Sequence, residues 1–223
     1  MPRTKEIKYK AFKEHSRCFS YGYGQDLVEL RERLDAISKD KKVFVELCAG
    51  YSEYSLEYLR NAEFTKNILI NDGNNIPNDT ISIAVDIKED RLMSALKIAE
   101  KEGLDNFYCL RVSIAHIAEL LKNFADIVFL VHPDPQLESK RKRLNQPVFI
   151  DIYNTILKPQ GSFTLVTDNV VFFDEFLDNN KFEIKYQTFL GESEGPFDII
   201  KTRYNTKFIN FDNQTKILTF EKQ

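Results

Sequence analysis

Long apolar runs are missing from this chain. No segment approaches the roughly 18 consecutive apolar residues that a membrane-spanning helix needs, so no transmembrane role is expected. The start, Met1 to Lys13, is polar and basic and lacks the apolar centre of a secretory signal. Cysteine is scarce. Cys18, Cys48 and Cys109 are odd in number and have no metal-ligand spacing. That argues against a disulfide framework and a zinc site, and predicts reduced thiols in a cytoplasmic protein. A strong excess of one charge is missing too: the net charge is −3, which does not announce a nucleic-acid binder. What remains is ordinary for a globular domain, with 223 residues, 43% hydrophobic and 29% charged.

Local charge says more than the total. Cations gather at Lys5, Lys8, Lys10, Lys13 and Arg17, and again at Lys140, Arg141, Lys142 and Arg143. Acids gather over 26–40 and 192–198. A basic stripe on a mildly acidic body suits RNA, and two solvated surface patches fit the same pattern.

Residues 1–25 read as a basic, irregular arm in which Gly22 and Gly24 break any helix; residues 26–223 read as one domain. Asp26 can cap a helix over 26–38, whose Leu27, Leu30, Leu34 and Ile37 recur at helical spacing. Apolar runs predict strands at 43–47, 81–87, 106–111, 126–131 and 162–167. Helices are predicted over 52–60, 91–102, 114–122, 147–157 and 170–179. A further apolar run, Ile68-Leu69-Ile70, is followed by turn chemistry from Asn71 to Pro77. Lys158-Pro159-Gln160-Gly161 reads as a turn. Strands 182–189 and 216–221 have no crossover helix between them, so they should pair antiparallel. The result is an α/β protein. It has a mostly parallel seven-stranded sheet with a terminal antiparallel pair, and helices on both faces.

Four acids fall at predicted carboxyl ends of strands, the edge where open α/β sheets bind ligands. Glu46 precedes the turn Leu47-Cys48-Ala49-Gly50-Tyr51-Ser52, which suits a nucleotide-type cradle or simply a tight strand-to-helix turn. Asp86 closes Ala84-Val85-Asp86 and could accept both hydroxyls of a ribose; Asp72 is its rival, and the long helix directly after Asp86 favours Asp86. Asp134 stands between Pro133 and Pro135, which hold it extended. Asp168, in Thr167-Asp168, brings a second acid to the same edge.

These pieces, in this order, resemble the tRNA (guanine-N7)-methyltransferase family. The resemblance covers roughly residues 40–221. It rests on Val85-Asp86-Ile87-Lys88, Glu102-Gly103-Leu104-Asp105-Asn106, and Pro133-Asp134-Pro135 with the cluster at 140–144. Leu157-Lys158-Pro159-Gln160-Gly161, Thr167-Asp168, and Thr202-Arg203-Tyr204-Asn205 with Lys207-Phe208 complete it. The resemblance implies a Rossmann-like class I methyltransferase fold. The implied activity is methyl transfer from S-adenosylmethionine to N7 of a guanine in the tRNA variable loop. A monomer or homodimer, without membrane association, would carry it out.

Carried over by position, Glu46, Gly50, Asp86, Ser113 and Asp134 would bind S-adenosylmethionine. Ser113 stands where the family has an aspartate near the adenine. Asp134 would lie beside both the methyl donor and the base, as the catalytic residue. Asp168, Thr202, Arg203, Tyr204 and Asn205 would hold the guanine, and Lys140, Arg141, Lys142 and Arg143 would contact phosphates. The chain departs from the family at Cys48 and Ser52, where the family has glycine. It departs again at Gln136 to Glu138, where the family has tryptophan and then lysine, and at Asn205, where the family has glutamate. Two other readings fit the sequence: a non-catalytic RNA- or cofactor-binding member of the fold, and a methyltransferase for another substrate.

Overall fold

The computed structural model describes residues 10–22, 26–60, 80–136, 138–189 and 215–222, with backbone alone at 140 and 185–189. The run Ile68–Ile70 and Asp72 lie outside the described residues. The strands are β1 (Cys18–Ser20), β2 (Lys42–Leu47), β3 (Thr80–Asp86), β4 (Phe107–Arg111), β5 (Ala125–Val131), β6 (Leu157–Thr167), β7 (Ile184–Phe189) and β8 (Lys216–Glu221). They form one sheet in the order β1-β4-β3-β2-β5-β6-β8-β7. Six strands run parallel, and β8 is antiparallel to both β6 and β7. The seven expected strands are all present. The eighth, β1, comes from the segment that reads as an irregular arm.

The helices are α1 (residues 10–14), α2 (Leu27–Ser38), α3 (Glu53–Arg60), α4 (Glu89–Lys101), α5 (Ile117–Leu120), α6 (Pro147–Ile156) and α7 (Val170–Asn179). Asp26 caps α2, its Oδ1 accepting from the Val28 amide at 2.8 Å. Pro147 opens α6, where its missing N–H costs nothing. The helix expected over 114–122 is split: a 3-10 turn, Ile114–His116, precedes α5, and His116 leaves helical values (φ −116°, ψ 5°).

Alternation along β2 sends successive side chains to opposite faces. Val43, Val45 and Leu47 join the core under α2, α5, α6 and α7, with Leu34, Ile117, Tyr153 and Phe173. Phe44 turns the other way, stacking on Tyr58 of α3 at 4.4 Å. Residues 10–22 are docked rather than irregular. Phe12 is fully buried against Leu56 of α3 and Leu92 and Leu96 of α4. Cys18 lies in register with Cys109 of β4. His15 and Arg17 both reach Glu100, at 2.9 and 3.2 Å. A three-residue strand is too short to show alternation, so its pairing is a tertiary effect.

The expected turn at 158–161 is a bulge inside β6. Leu157 opposes Ala125 and Ser162 opposes Ile127, leaving the intervening residues as surplus. Gly161 is required there, because a Cβ would lie 3.0 Å from the carbonyl oxygens of Asp126 and Lys158. From β2 the sheet grows one way through β3 and β4 and the other way through β5 and β6. The strand order therefore reverses between β2 and β5, the switch point outside whose carboxyl ends open α/β sheets have their ligand crevice.

Candidate active site

The turn after β2 forms one wall of that crevice. Cys48, Gly50 and Ser52 all have left-handed backbone, with φ of 57°, 53° and 59°. The Ala49 amide donates to the Val85 carbonyl at 3.0 Å, and the Gly50 amide to Asp86 Oδ2 at 2.9 Å. Asp86 Oδ1 accepts from the Lys88 amide at 2.9 Å. Each oxygen has accepted one N–H and keeps a lone pair for a hydroxyl donor. The Val112 amide donates to the Asp86 carbonyl, which sets exposed Ser113 beside Asp86 at the same edge.

Glu46 is placed differently from the cofactor contact expected of it. Its side chain points with Phe44 to the α3 face and is 1% exposed. Glu46 Oε2 accepts from the Ser55 amide at 2.7 Å, at the start of α3. Burial pushes its carboxyl up to about 8, against the opposing pull of the Ser55 hydrogen bonds. The cause is the two-residue period of the strand: Leu47 faces one core and Glu46 is turned under the helix. Cys48 is also kept protonated, first by burial and then by the fields of Asp86, Asp134 and Glu46.

The opposite wall is the Pro-Asp-Pro element. His132 (φ 41°) ties β5 to β6 through its amide, which donates to the Val166 carbonyl at 2.8 Å. Pro133 is buried and Asp134 is exposed. Asp134 Oδ1 accepts from the Gln136 amide at 3.0 Å, and Gln136 takes φ 47° to make that turn. Asp168, at the end of β6, brings Oδ1 to 3.6 Å from His132 Nδ1; the two side chains are 19% and 5% exposed. His132 was not among the expected site residues. Its position directly before the Pro-Asp-Pro run was the available signal.

The basic cluster divides. Arg141 and Lys142 are exposed, both within the 3-10 turn Lys140–Lys142. The Lys140 side chain lies outside the described residues. Arg143, expected on phosphate, is instead paired: its Nη1 is 2.8 Å from both carboxylate oxygens of Glu175 on α7. Thr202, Arg203, Tyr204 and Asn205 lie outside the described residues.

The chain matches the family described as "Putative methyltransferase" over residues 40–218. It belongs to this methyltransferase family. The tRNA (guanine-N(7)-)-methyltransferase of Clostridium tetani is 29% identical over 142 residues, 61% of this chain and 67% of that protein. The protein of the same name from Mesomycoplasma hyopneumoniae (strain J) is 32% identical over 126 residues, 54% of this chain and 63% of that protein. The chain thus spans about two thirds of the length of these curated relatives. Among solved structures, TrmN from Thermus thermophilus aligns with TM-score 0.56 and 16% identity, over 97% of this chain and 52% of that one. The aminoglycoside resistance methyltransferase NpmB1 aligns with TM-score 0.56 and 16% identity, over 86% and 93%. At such identity these structures speak for the methyltransferase fold alone.

Among the residues where this methyltransferase departs from the glycine-rich turn, Cys48 and Ser52 keep the left-handed backbone that glycine adopts freely. For a non-glycine residue that backbone carries a conformational cost of about 1 kcal/mol. Among the described residues no helix is long and apolar enough to cross a membrane.

Proposed function

We propose that this methyltransferase transfers a methyl group from S-adenosylmethionine to N7 of a guanine in tRNA. One observation carries the reading: a stiff, exposed Asp134 stands across the switch-point crevice from a glycine-type turn tied to Asp86. The chemistry of this edge fits the donor molecule. A ribose offers two hydroxyls, and Asp86 retains acceptor capacity on both oxygens. A sulfonium is a cation, and the acids Asp86, Asp134 and Asp168 give the edge negative charge. Gly50 brings its backbone to the crevice, and even a Cβ added there would meet nothing closer than 3.9 Å, so the cradle has room. When bound, S-adenosylmethionine supplies an electrophilic methyl group.

The protein's own part is positioning. Guanine N7 has a free lone pair and needs no base, so alignment supplies most of the rate. Asp134 would orient the base beside the donor, held by its flanking prolines and the Gln136 amide. Asp168 would accept from the donor groups of guanine, N1–H and the exocyclic amine. Thr202 to Asn205 would complete the guanine pocket. Arg141 and Lys142 would meet tRNA phosphates and Ser113 would line the adenine end. The setting would be the cytoplasm, as a monomer or homodimer. Incubating purified protein with unmodified tRNA and labelled donor tests this reading. Label recovered as 7-methylguanosine is expected; its absence at micromolar enzyme refutes the proposal.

A further inference from the structure

Past the exposed cations, the loop after β5 turns inward onto α7. Arg143, 11% exposed, donates through Nη1 to both carboxylate oxygens of Glu175, which is 20% exposed. Asn145 is fully buried; its Nδ2 donates to Glu175 Oε2 and to the Phe172 carbonyl, each at 3.0 Å. Asn179 donates in turn to the Asn145 carbonyl at 3.1 Å. Arg143 Nε also approaches the Gln136 carbonyl, a long contact at 3.4 Å. The Gln136 amide is the group that holds Asp134 Oδ1. At the other end, α7 begins two residues after Asp168.

One carboxylate therefore joins the two halves of the site. We propose that Glu175 is a positioning residue, which fixes the loop leaving Asp134 against the helix that follows Asp168. Its bonds are charge-assisted, the stronger class of hydrogen bond. The loop it holds is mostly polar, and such segments open locally when their few anchors are lost. Reacting groups displaced by about 1 Å can lose rate by as much as ~100-fold. The effect on turnover rests on the proposed function; the effect on the loop rests on the geometry alone.

Glu175→Ala and Glu175→Gln test this by three readouts: kcat and KM for tRNA methylation, donor affinity by calorimetry, and trypsin cleavage at Arg141 and Lys142. Glu175→Ala should lower kcat by about 10- to 100-fold and speed cleavage several-fold. Donor affinity, set at the ends of β2, β3 and β4, should be unchanged. Glu175→Gln keeps one acceptor oxygen for Arg143 or Asn145 but loses the charge, and should recover part of both losses. Unchanged kcat and unchanged cleavage in Glu175→Ala would overturn the proposal. So would a fall in kcat matched by an equal loss of donor binding and not relieved in Glu175→Gln. If wild type makes no 7-methylguanosine, the proposed function fails by itself. Cleavage then decides: faster cutting of Glu175→Ala supports the anchor, and equal cutting overturns it.

Discussion

Glu46→Gln should stabilise the folded protein near neutral pH. The side chain is 1% exposed, and burial raises its carboxyl from 4.5 to about 8. Between those values the folded state keeps a proton that the unfolded state has released. Stability therefore falls as pH rises from 4.5, and the fall levels off above about 8. From 4.5 to pH 7 the cost is on the order of 3 kcal/mol, at about 1.4 kcal/mol for each unit. Glutamine has no proton to lose, and its carbonyl can still accept from the Ser55 amide. Urea unfolding of both proteins between pH 5 and 8 measures the difference. It should widen in favour of Glu46→Gln by about 1 kcal/mol per pH unit. A difference that stays flat with pH would refute the buried, neutral carboxyl. The same pair of proteins tests the site, because a carboxyl turned under α3 should not be needed for donor binding. Loss of that binding in Glu46→Gln would restore Glu46 to the cofactor.

Asp86→Ala removes the acceptor of the Gly50 amide and of a ribose hydroxyl, and should weaken donor binding by roughly 2 kcal/mol, about 30-fold, in calorimetry. Ser52→Gly relieves a left-handed serine whose buried hydroxyl has no partner among the described residues. Against the added entropy of the unfolded chain it should gain ~1 kcal/mol, raising Tm by about 2–4 °C. Arg141→Ala and Lys142→Ala should each flatten the salt dependence of tRNA binding by about one unit of log–log slope. Arg143→Ala should instead cost roughly 2 kcal/mol of stability in urea unfolding, because it removes a charge-assisted pair with Glu175, which keeps the Asn145 amide and partial exposure.

Elements with strong local signals were legible in the sequence. The Val- and Ile-rich runs of β2, β3 and β5, the Asp26 cap and α7 fall where spacing places them. The stiffness of Asp134 also followed, since proline acts on the local backbone alone. What was not legible is set by partners distant in sequence. β1 exists because β4 offers an edge and Phe12 finds a pocket between α3 and α4. Arg143 reads like its three basic neighbours, and only Glu175, far along the chain, takes it out of the phosphate-facing set. Glu46 differs from Asp86 by where its strand ends: Asp86 is the last residue of β3, whereas Leu47 follows Glu46 within β2. One further residue of strand leaves Glu46 beneath α3 rather than at the rim. The bulge at Lys158–Gly161 carries turn residues, and only the β5 register shows that the strand continues through them.

Single-turnover methylation of unmodified tRNA, comparing wild type with Asp134→Ala, tests the central claim most directly. Donor binding in each protein is confirmed beforehand by calorimetry. Wild type should form 7-methylguanosine, and Asp134→Ala should bind donor yet form it at least 100-fold more slowly, about 3 kcal/mol of lost alignment. Equal rates in the two proteins would contradict the assignment of this edge as the active site.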